Sequence, residues 1–218
     1  MKGLRDGKRR TASSRRWLER QLSDPFVAEA KRQGYRSRAA LKLAEMDAKA
    51  KLLRPGQRVV DLGAAPGGWT QVVVARVRPA EGKGAVVAID ITPMASIAGA
   101  TLLELDAFTP DAPQRILSAL GGPADVLLSD MAPAATGHGA TDHLRSMALA
   151  EAALALADDL LQSGGSFLVK LLQGGGEVEY ERVLRRRFDA VRRVKPAASR
   201  SDSREIYFLA TGFRGPAA

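Results

Sequence analysis

The sequence predicts a doubly wound α/β fold with a mostly parallel sheet. Short apolar runs recur along the chain, helix-like stretches separate them, and each run is continuously apolar rather than alternating. The runs occupy residues 58–62, 85–90, 125–130 and 166–172. Continuous apolarity is typical of strands buried on both faces, which are parallel strands joined by helices.

The first two helices follow from end signals. Asp24 and Pro25 are an N-cap and a proline in the first turn, and they open a short helix. Ser37 is predicted to cap a second helix that runs to about Leu53, where the Pro-Gly pair at 55–56 ends it. Both helices therefore precede the first strand.

Two further helices and a hairpin complete the predicted architecture. Residues 70–77 and 141–162 have helix-like composition. The runs 188–194 and 205–213 have strand-like composition, and too few residues separate them for a helical crossover. They are predicted to form an antiparallel hairpin at or near the sheet edge.

Composition indicates one globular domain. The 218 residues, 45% of them hydrophobic, are enough to bury a full core. No apolar run approaches the roughly 20 residues that cross a bilayer, and the N-terminus carries charges where a signal peptide is apolar. We therefore expect a cytoplasmic protein without a membrane partner. The chain has no cysteine and two histidines, so no metal site is predicted.

The charge favours an anionic partner. The net charge is +9 and the pI is about 10.2, which suits RNA, DNA or an acidic surface. Residues 1–24 are predicted to be a flexible basic arm before one domain at 25–218. A second basic run lies at 182–195, and a solvated helix face is the alternative interpretation of such a run. Two runs that flank one domain favour a nucleic-acid surface.

Several polar residues lie where the predicted strands end. Asp61, Asp90 and Asp130 each close an apolar run, and Lys170 interrupts another run near its end. Glu205 begins the last strand, which starts at the same edge if it is antiparallel. Ligands of doubly wound sheets bind beyond the carboxyl ends of the strands. A lysine in a buried strand is exposed at a rim, paired or functional, so two acids and a lysine are expected to meet at this edge.

The loop DLGAAPGGW at 61–69 predicts a nucleoside cofactor. It joins the first strand to a helix, and its glycines allow a tight turn and a close approach of backbone to a ligand. Asp90 follows Gly68 by 90 − 68 = 22 residues, where a carboxylate accepts the hydroxyls of a ribose. The loop lacks the glycine spacing of NAD and ATP sites, which leaves S-adenosylmethionine, the adenosine cofactor without phosphates. A purely structural turn is the alternative.

Five segments together resemble a known family. They are YRSRAALKL at 35–43, VVDLGAAPGGW at 59–69, DVLLSDMAP at 125–133, SFLVKLLQG at 166–174 and SRSDSREIYFLATG at 199–212. In this order they resemble the motifs of the FtsJ/RrmJ (RlmE) ribosomal RNA 2′-O-methyltransferases, over about residues 25–214. The resemblance implies a Rossmann-like S-adenosylmethionine-dependent methyltransferase fold and methylation of a uridine ribose in large-subunit rRNA.

The resemblance also implies a catalytic tetrad at Lys42, Asp130, Lys170 and Glu205. In-line methyl transfer to a ribose hydroxyl requires alignment of the reacting atoms and removal of a proton. A lysine accepts a proton only in its neutral form, which burial and nearby positive charge favour. We therefore predict Lys170 as the base, Asp130 as the group that orients it, and Lys42 with Glu205 as the pair that positions the hydroxyl.

By the same resemblance the methyl donor is bound by Gly67, Trp69, Asp90, Asp106 and Asp130. Trp69 has an alternative role in holding its helix to the sheet, and Asp106 has one in capping a turn. The sequence departs from the family at Ala134, where asparagine is usual, and at Gly175 in the run QGGG. Both departures bear on substrate positioning and neither touches the tetrad.

The implied partner is large-subunit rRNA within the assembled subunit, with no obligate protein partner. A methyltransferase of tRNA or another RNA would share the same tetrad. A non-catalytic RNA-binding assembly factor would keep the fold and the basic surfaces. An NAD-dependent dehydrogenase could share the same fold, and fold alone does not decide function. The glycine spacing of the loop disfavours this alternative.

Overall fold

The computed structural model describes residues 24–79, 82, 84–200 and 203–215. Residues 1–23, almost all of the predicted basic arm, lie outside the described residues. The helices are α1 (Pro25–Arg32), α2 (Ala39–Ala50), α3 (Gly68–Val77), α4 (Ala112–Leu120), α5 (Gly139–Leu160) and α6 (Glu177–Arg187). The strands are β1 (Arg58–Leu62), β2 (Ala85–Asp90), β3 (Thr101–Glu104), β4 (Ala124–Ser129), β5 (Leu161–Leu172), β6 (Phe188–Val194) and β7 (Glu205–Phe213).

The strands form a single sheet in the order β3-β2-β1-β4-β5-β7-β6. Strands β1 to β5 pair in parallel with their neighbours, whereas β7 is antiparallel to both β5 and β6. The predicted doubly wound, mostly parallel sheet with a C-terminal antiparallel pair is therefore confirmed. Strand β7 lies inside the sheet, and β6 and β3 are the two edge strands. Within the described ranges, no helix is long and apolar enough to cross a membrane.

Helices cover both faces of the sheet. One apolar cluster packs α4, α5 and α6 against Val60, Leu62 and their neighbours. A second cluster packs α2 and α3 against Val59 and the residues level with it. Because side chains alternate along a strand, Asp61 points to the same face as Val59. Burial on both faces explains why the strands are continuously apolar in sequence.

The predicted limits of α2 are wrong at both ends. Arg38, not Ser37, occupies the N-cap position, and its side chain makes no capping bond. The helix stops before Leu53 because Lys51 adopts a left-handed conformation with φ of 54°. In that conformation the Lys51 N–H closes the helix by donating to the Asp47 carbonyl at 2.7 Å.

Asp24 joins the N-terminal helices to the segment before β7. One carboxylate oxygen accepts from the Phe26 N–H at 3.0 Å and so caps α1. The other oxygen accepts from Arg38 and, at 3.0 Å, from Arg200 Nε. Burial opposes ionisation of Asp24, but these two guanidinium groups and the capping bond lower its pKa overall. Residue 24 is therefore part of the folded domain.

Acidic side chains neutralise much of the second basic run. Arg185 and Arg193 both pair with Glu181, at 2.6 and 2.5 Å, and Arg187 pairs with Asp158 at 2.7 Å. Surface pairs of this kind contribute little to stability, but they reduce the charge that the run offers to a phosphate backbone. The arrangement favours the alternative interpretation of this run, a solvated and ion-paired helix face.

Candidate active site

Lys170 and Asp130 form an ion pair at the rim of the sheet. Asp130 directly follows β4, and Lys170 lies near the carboxyl end of β5, its parallel neighbour. The ammonium Nζ of Lys170 is 2.9 Å from Asp130 Oδ1 and donates to the Asp130 carbonyl at 2.5 Å. Lys170 is only 7% exposed, so water has little access to its ammonium group and Asp130 is its main partner.

Lys42 and Glu205 form the second pair. Lys42 projects from α2 and its Nζ donates to Glu205 Oε2 at 2.5 Å. Glu205 is the first residue of β7 and lies opposite Leu172 at the end of β5, which brings it to the same rim. Burial alone would raise the pKa of Glu205, but the positive charges of Lys42, Lys170 and Arg38 lower it overall. All four tetrad residues therefore meet, as two adjacent ion pairs.

Tyr207 is a site residue that the sequence interpretation missed. It lies opposite Lys170 in the β5–β7 pairing, and its hydroxyl donates to Asp130 Oδ1 at 3.2 Å. Burial, together with the carboxylates of Asp130 and Glu205, raises the pKa of Tyr207 well above its ordinary value. The phenol therefore stays a donor. Its position two residues after Glu205 places both on one face of the strand, which is the signal that could have found it.

A cavity of about 510 Å³ opens beside the two pairs. It is lined by Gly63, Ala65, Ile89, Asp90, Ile91, Thr92, Leu105, Asp106, Ala107, Phe108, Asp130, Met131, Ala132 and Leu149. Three of the residues predicted to bind the donor are among them, because β2, β3 and β4 end at the same edge of the sheet. The volume lies within the range typical of small-molecule sites.

The cavity walls combine carboxylates with exposed apolar groups. Asp90 accepts from the Ala65 N–H at 2.9 Å and from the Thr92 N–H at 2.8 Å, so it joins two walls. The Asp106 carboxylate accepts only from the Phe108 N–H, at 3.0 Å, among the described partners. Ile91 is 72% exposed and Phe108 is 42% exposed, which is unusual for large apolar side chains. Such walls suit a flat aromatic ring.

Gly67 and Trp69 do not line this cavity. Gly67 has φ of 107°, and a Cβ there would lie 2.6 Å from Ile97 Cδ1, so close packing also requires glycine. Trp69 is 2% exposed, and its indole Nε1–H donates to the Ala39 carbonyl at 2.9 Å. Its ring lies 5.9 Å from the ring of Tyr207. The contact with Tyr207 of β7 holds α3 to the sheet, as the alternative interpretation proposed, and the bond to Ala39 also joins α3 to α2.

Asp61 is not at the rim, contrary to the strand-end prediction. Strand β1 continues to Leu62, which places the Asp61 side chain inside the protein with no exposure. One carboxylate oxygen accepts from the Thr70 hydroxyl at 2.7 Å, and the other has no partner among the described residues. Burial, with smaller contributions from the Asp130 and Asp90 carboxylates, raises the pKa of Asp61 to about 7.

The two departures from the family pattern lie in loops beside the tetrad. Ala134 is exposed in the loop between β4 and α5. Gly175 has φ of 121°, and its N–H donates to Glu177 at 2.9 Å, while the Gly174 N–H donates to the same carboxylate at 2.7 Å. Glu177 thus orders the turn that follows β5.

Comparisons with known proteins agree with this geometry. The family model of FtsJ-like methyltransferases matches residues 35–213. The chain is 56% identical to the ribosomal RNA large subunit methyltransferase E of Xanthobacter autotrophicus, over 95% of this chain and 82% of that protein. It is 53% identical to the enzyme of the same name from Rhodopseudomonas palustris, over 99% of this chain and 91% of that protein. A solved ribosomal RNA methyltransferase of Plasmodium falciparum superposes with a TM-score of 0.74 at 28% identity, covering 83% of this chain and all of that one.

Proposed function

Because the chain belongs to the FtsJ-like methyltransferase family, we propose that it methylates the 2′-oxygen of a uridine ribose in large-subunit ribosomal RNA, with S-adenosylmethionine as donor. The observation that carries the proposal is the meeting of two lysine–carboxylate pairs beside a cavity with three acidic side chains. The proposal includes a cytoplasmic location, where ribosomal RNA is found, and the assembled large subunit as substrate.

The cavity residues fit this donor. S-adenosylmethionine supplies an electrophilic methyl group on a positively charged sulfur, and it also carries an ammonium group. Carboxylates at Asp90, Asp106 and Asp130 attract such charges and would repel the phosphates of NAD or ATP. We assign Asp90 to the ribose hydroxyls, Asp106 to the adenine amino group and Asp130 to the methionine end. Gly67 and Trp69 would act through the shape of the loop at 63–69.

Lys170 is the proposed base. A neutral lysine amine has two N–H donors and one lone pair. The two donors match the two Asp130 acceptors, Oδ1 and the carbonyl oxygen, which leaves the lone pair for the substrate hydroxyl. Tyr207 donates to the same carboxylate and limits its rotation. Asp130 would thus orient the amine towards the ribose.

Lys42 and Glu205 are proposed to hold the hydroxyl. Glu205 takes one of the three ammonium donors of Lys42, and the others are available to the 2′-oxygen. In the reaction the 2′-oxygen bonds to the methyl carbon, the carbon–sulfur bond breaks, and the hydroxyl proton passes to Lys170. Positive charge at Lys42 stabilises the negative charge that develops on the oxygen. Alignment and proton removal are then both provided by side chains of this chain.

The direct test is incubation with isotopically labelled S-adenosylmethionine. Unmodified large subunits, naked large-subunit rRNA and bulk tRNA are offered in parallel, and labelled nucleosides are identified by mass spectrometry after nuclease digestion. Label in 2′-O-methyluridine from the subunit alone is the expected result. Label in tRNA would replace the substrate and keep the chemistry. No label, with donor binding demonstrated separately, would favour the non-catalytic assembly factor.

Asp106 offers a selective test of the donor site. Asp106→Ala is expected to raise the Kd for S-adenosylmethionine about tenfold, because a charge-assisted hydrogen bond contributes about 1.5–3 kcal/mol. Stability should change by less than about 1 kcal/mol, since the side chain makes only one turn contact among the described residues. Asp111→Ala, an exposed aspartate at the start of α4, is the matched control. Calorimetric titration measures Kd, and an unchanged value would remove Asp106 from the donor site.

A further inference from the structure

Two segments each form part of the wall of the donor cavity. One is the glycine-rich loop at 63–68, which contributes Gly63 and Ala65, and the other is the segment at 91–100, which contributes Ile91 and Thr92. Asp90 ties the inner ends of both walls through its two carboxylate oxygens. The segment at 91–100 contains no helix or strand, so something else must hold its outer part in place.

Arg36 makes that outer contact. Its guanidinium donates from Nη1 to the carbonyls of Pro66 at 3.2 Å and Ala95 at 2.7 Å, and from Nη2 to the carbonyl of Ser96 at 2.7 Å. The carbonyls belong to both walls, so one side chain bridges them. Arg36 itself is exposed and is not among the residues that line the cavity.

The surroundings fix Arg36 in this position. Its backbone N–H donates to Gln71 Oε1 at 2.8 Å, and Gln71 Nε2 donates back to the Gly34 carbonyl at 3.0 Å. A Cβ at Gly67 would lie 3.0 Å from Arg36 Nη1 as well as 2.6 Å from Ile97. The guanidinium of Arg36 therefore packs closely against both loops and against Gly67. A lysine has only one nitrogen and could not bond to all three carbonyls with the same geometry.

We propose that Arg36 is a positioning residue that fixes the walls of the donor cavity by tying segment 91–100 to the glycine-rich loop. It acts through main-chain carbonyls and does not contact the donor or the RNA. Its place just before α2, the helix that carries Lys42, also joins the donor site to the tetrad. The inference rests on the proposed donor, so its test includes a measurement that needs no ligand.

The first measurement is hydrogen exchange of the ligand-free protein. In Arg36→Ala the hydrogen-bonded amides of Thr92 and Ala100, within segment 91–100, are expected to exchange about tenfold faster, while those of α4 keep their wild-type rates. Arg36→Lys should restore only part of the protection, because one ammonium replaces a two-nitrogen fork. Arg115→Ala, which removes an exposed arginine of α4 paired only with Asp111 among the described residues, should leave exchange at 91–100 unchanged.

The second measurement is the affinity for S-adenosylmethionine and, separately, for rRNA. Arg36→Ala should raise the donor Kd about tenfold and Arg36→Lys about threefold, with rRNA affinity and kcat at saturating donor within about twofold of wild type. If Arg36→Ala shows wild-type exchange at 91–100, or an unchanged donor Kd, the proposed positioning role of Arg36 is overturned. A loss confined to rRNA affinity would make Arg36 a substrate contact. If the wild-type protein binds no donor, the proposed function fails, and the exchange result still decides the role of Arg36.

Discussion

Replacement of Lys170 by methionine is expected to lower the rate of methyl transfer at least about a thousandfold. General base catalysis contributes roughly 10²–10⁴-fold, and loss of the ammonium also removes the group that holds Asp130 in place. Methionine keeps most of the apolar stem, so the packing beneath the rim is retained. Donor affinity should stay within about twofold, because Lys170 does not line the cavity and Tyr207 still donates to Asp130, which does. Single-turnover rates with saturating donor and rRNA measure the effect.

Two controls separate chemistry from folding. Lys49→Met removes an exposed lysine of α2 that pairs with Glu45, and it should leave the rate unchanged. Calorimetric titration with S-adenosylmethionine shows whether the Lys170 variant still forms the cavity. Turnover comparable with wild type would eliminate Lys170 as the base. A matching loss in donor affinity would show instead that the ion pair with Asp130 supports the donor site.

The tetrad could be anticipated in part because parallel strands end at a common edge. Asp130, Lys170 and Glu205 come from segments far apart in sequence, yet topology alone places them at one rim. Lys42 lies on a helix outside the sheet, and no strand rule locates it; the family resemblance supplied it. The ion pair with Glu205 at 2.5 Å is the physical reason for its position.

Other features depend on packing that a linear pattern does not encode. Trp69 ends the glycine-rich stretch at 61–69 in sequence, but its indole points to α2, where it donates to the Ala39 carbonyl. Arg36 belongs to a quoted motif, yet its three carbonyl partners lie 30 to 60 residues away. Strand β3 has only four residues, too few for a clear apolar run. Such contacts follow from the folded arrangement of loops, which local residue preferences do not determine.

Asp61→Asn is expected to change how stability depends on pH. The pKa of Asp61 is about 7 in the fold and 3.8 ordinarily, so between these values the native state binds a proton that the unfolded state has released. The contribution of Asp61 to the free energy of unfolding is therefore greatest below about pH 4. It falls as the pH rises to about 7 and is constant above that. A shift of about 3 units corresponds to roughly 4 kcal/mol.

Urea unfolding of the wild type and of Asp61→Asn at pH 5 and pH 8 measures this effect. The contributions of the other titrating groups largely cancel when the two proteins are compared. Between pH 5 and pH 8 the free energy of unfolding of the wild type should fall by about 3 kcal/mol more than that of Asp61→Asn. The pKa of about 7 lies about two units above pH 5, and each unit corresponds to about 1.36 kcal/mol. Asp159→Asn, a substitution at an exposed carboxyl of α5, should follow the wild type. Equal pH dependence in wild type and Asp61→Asn would mean that Asp61 is ionised in the fold.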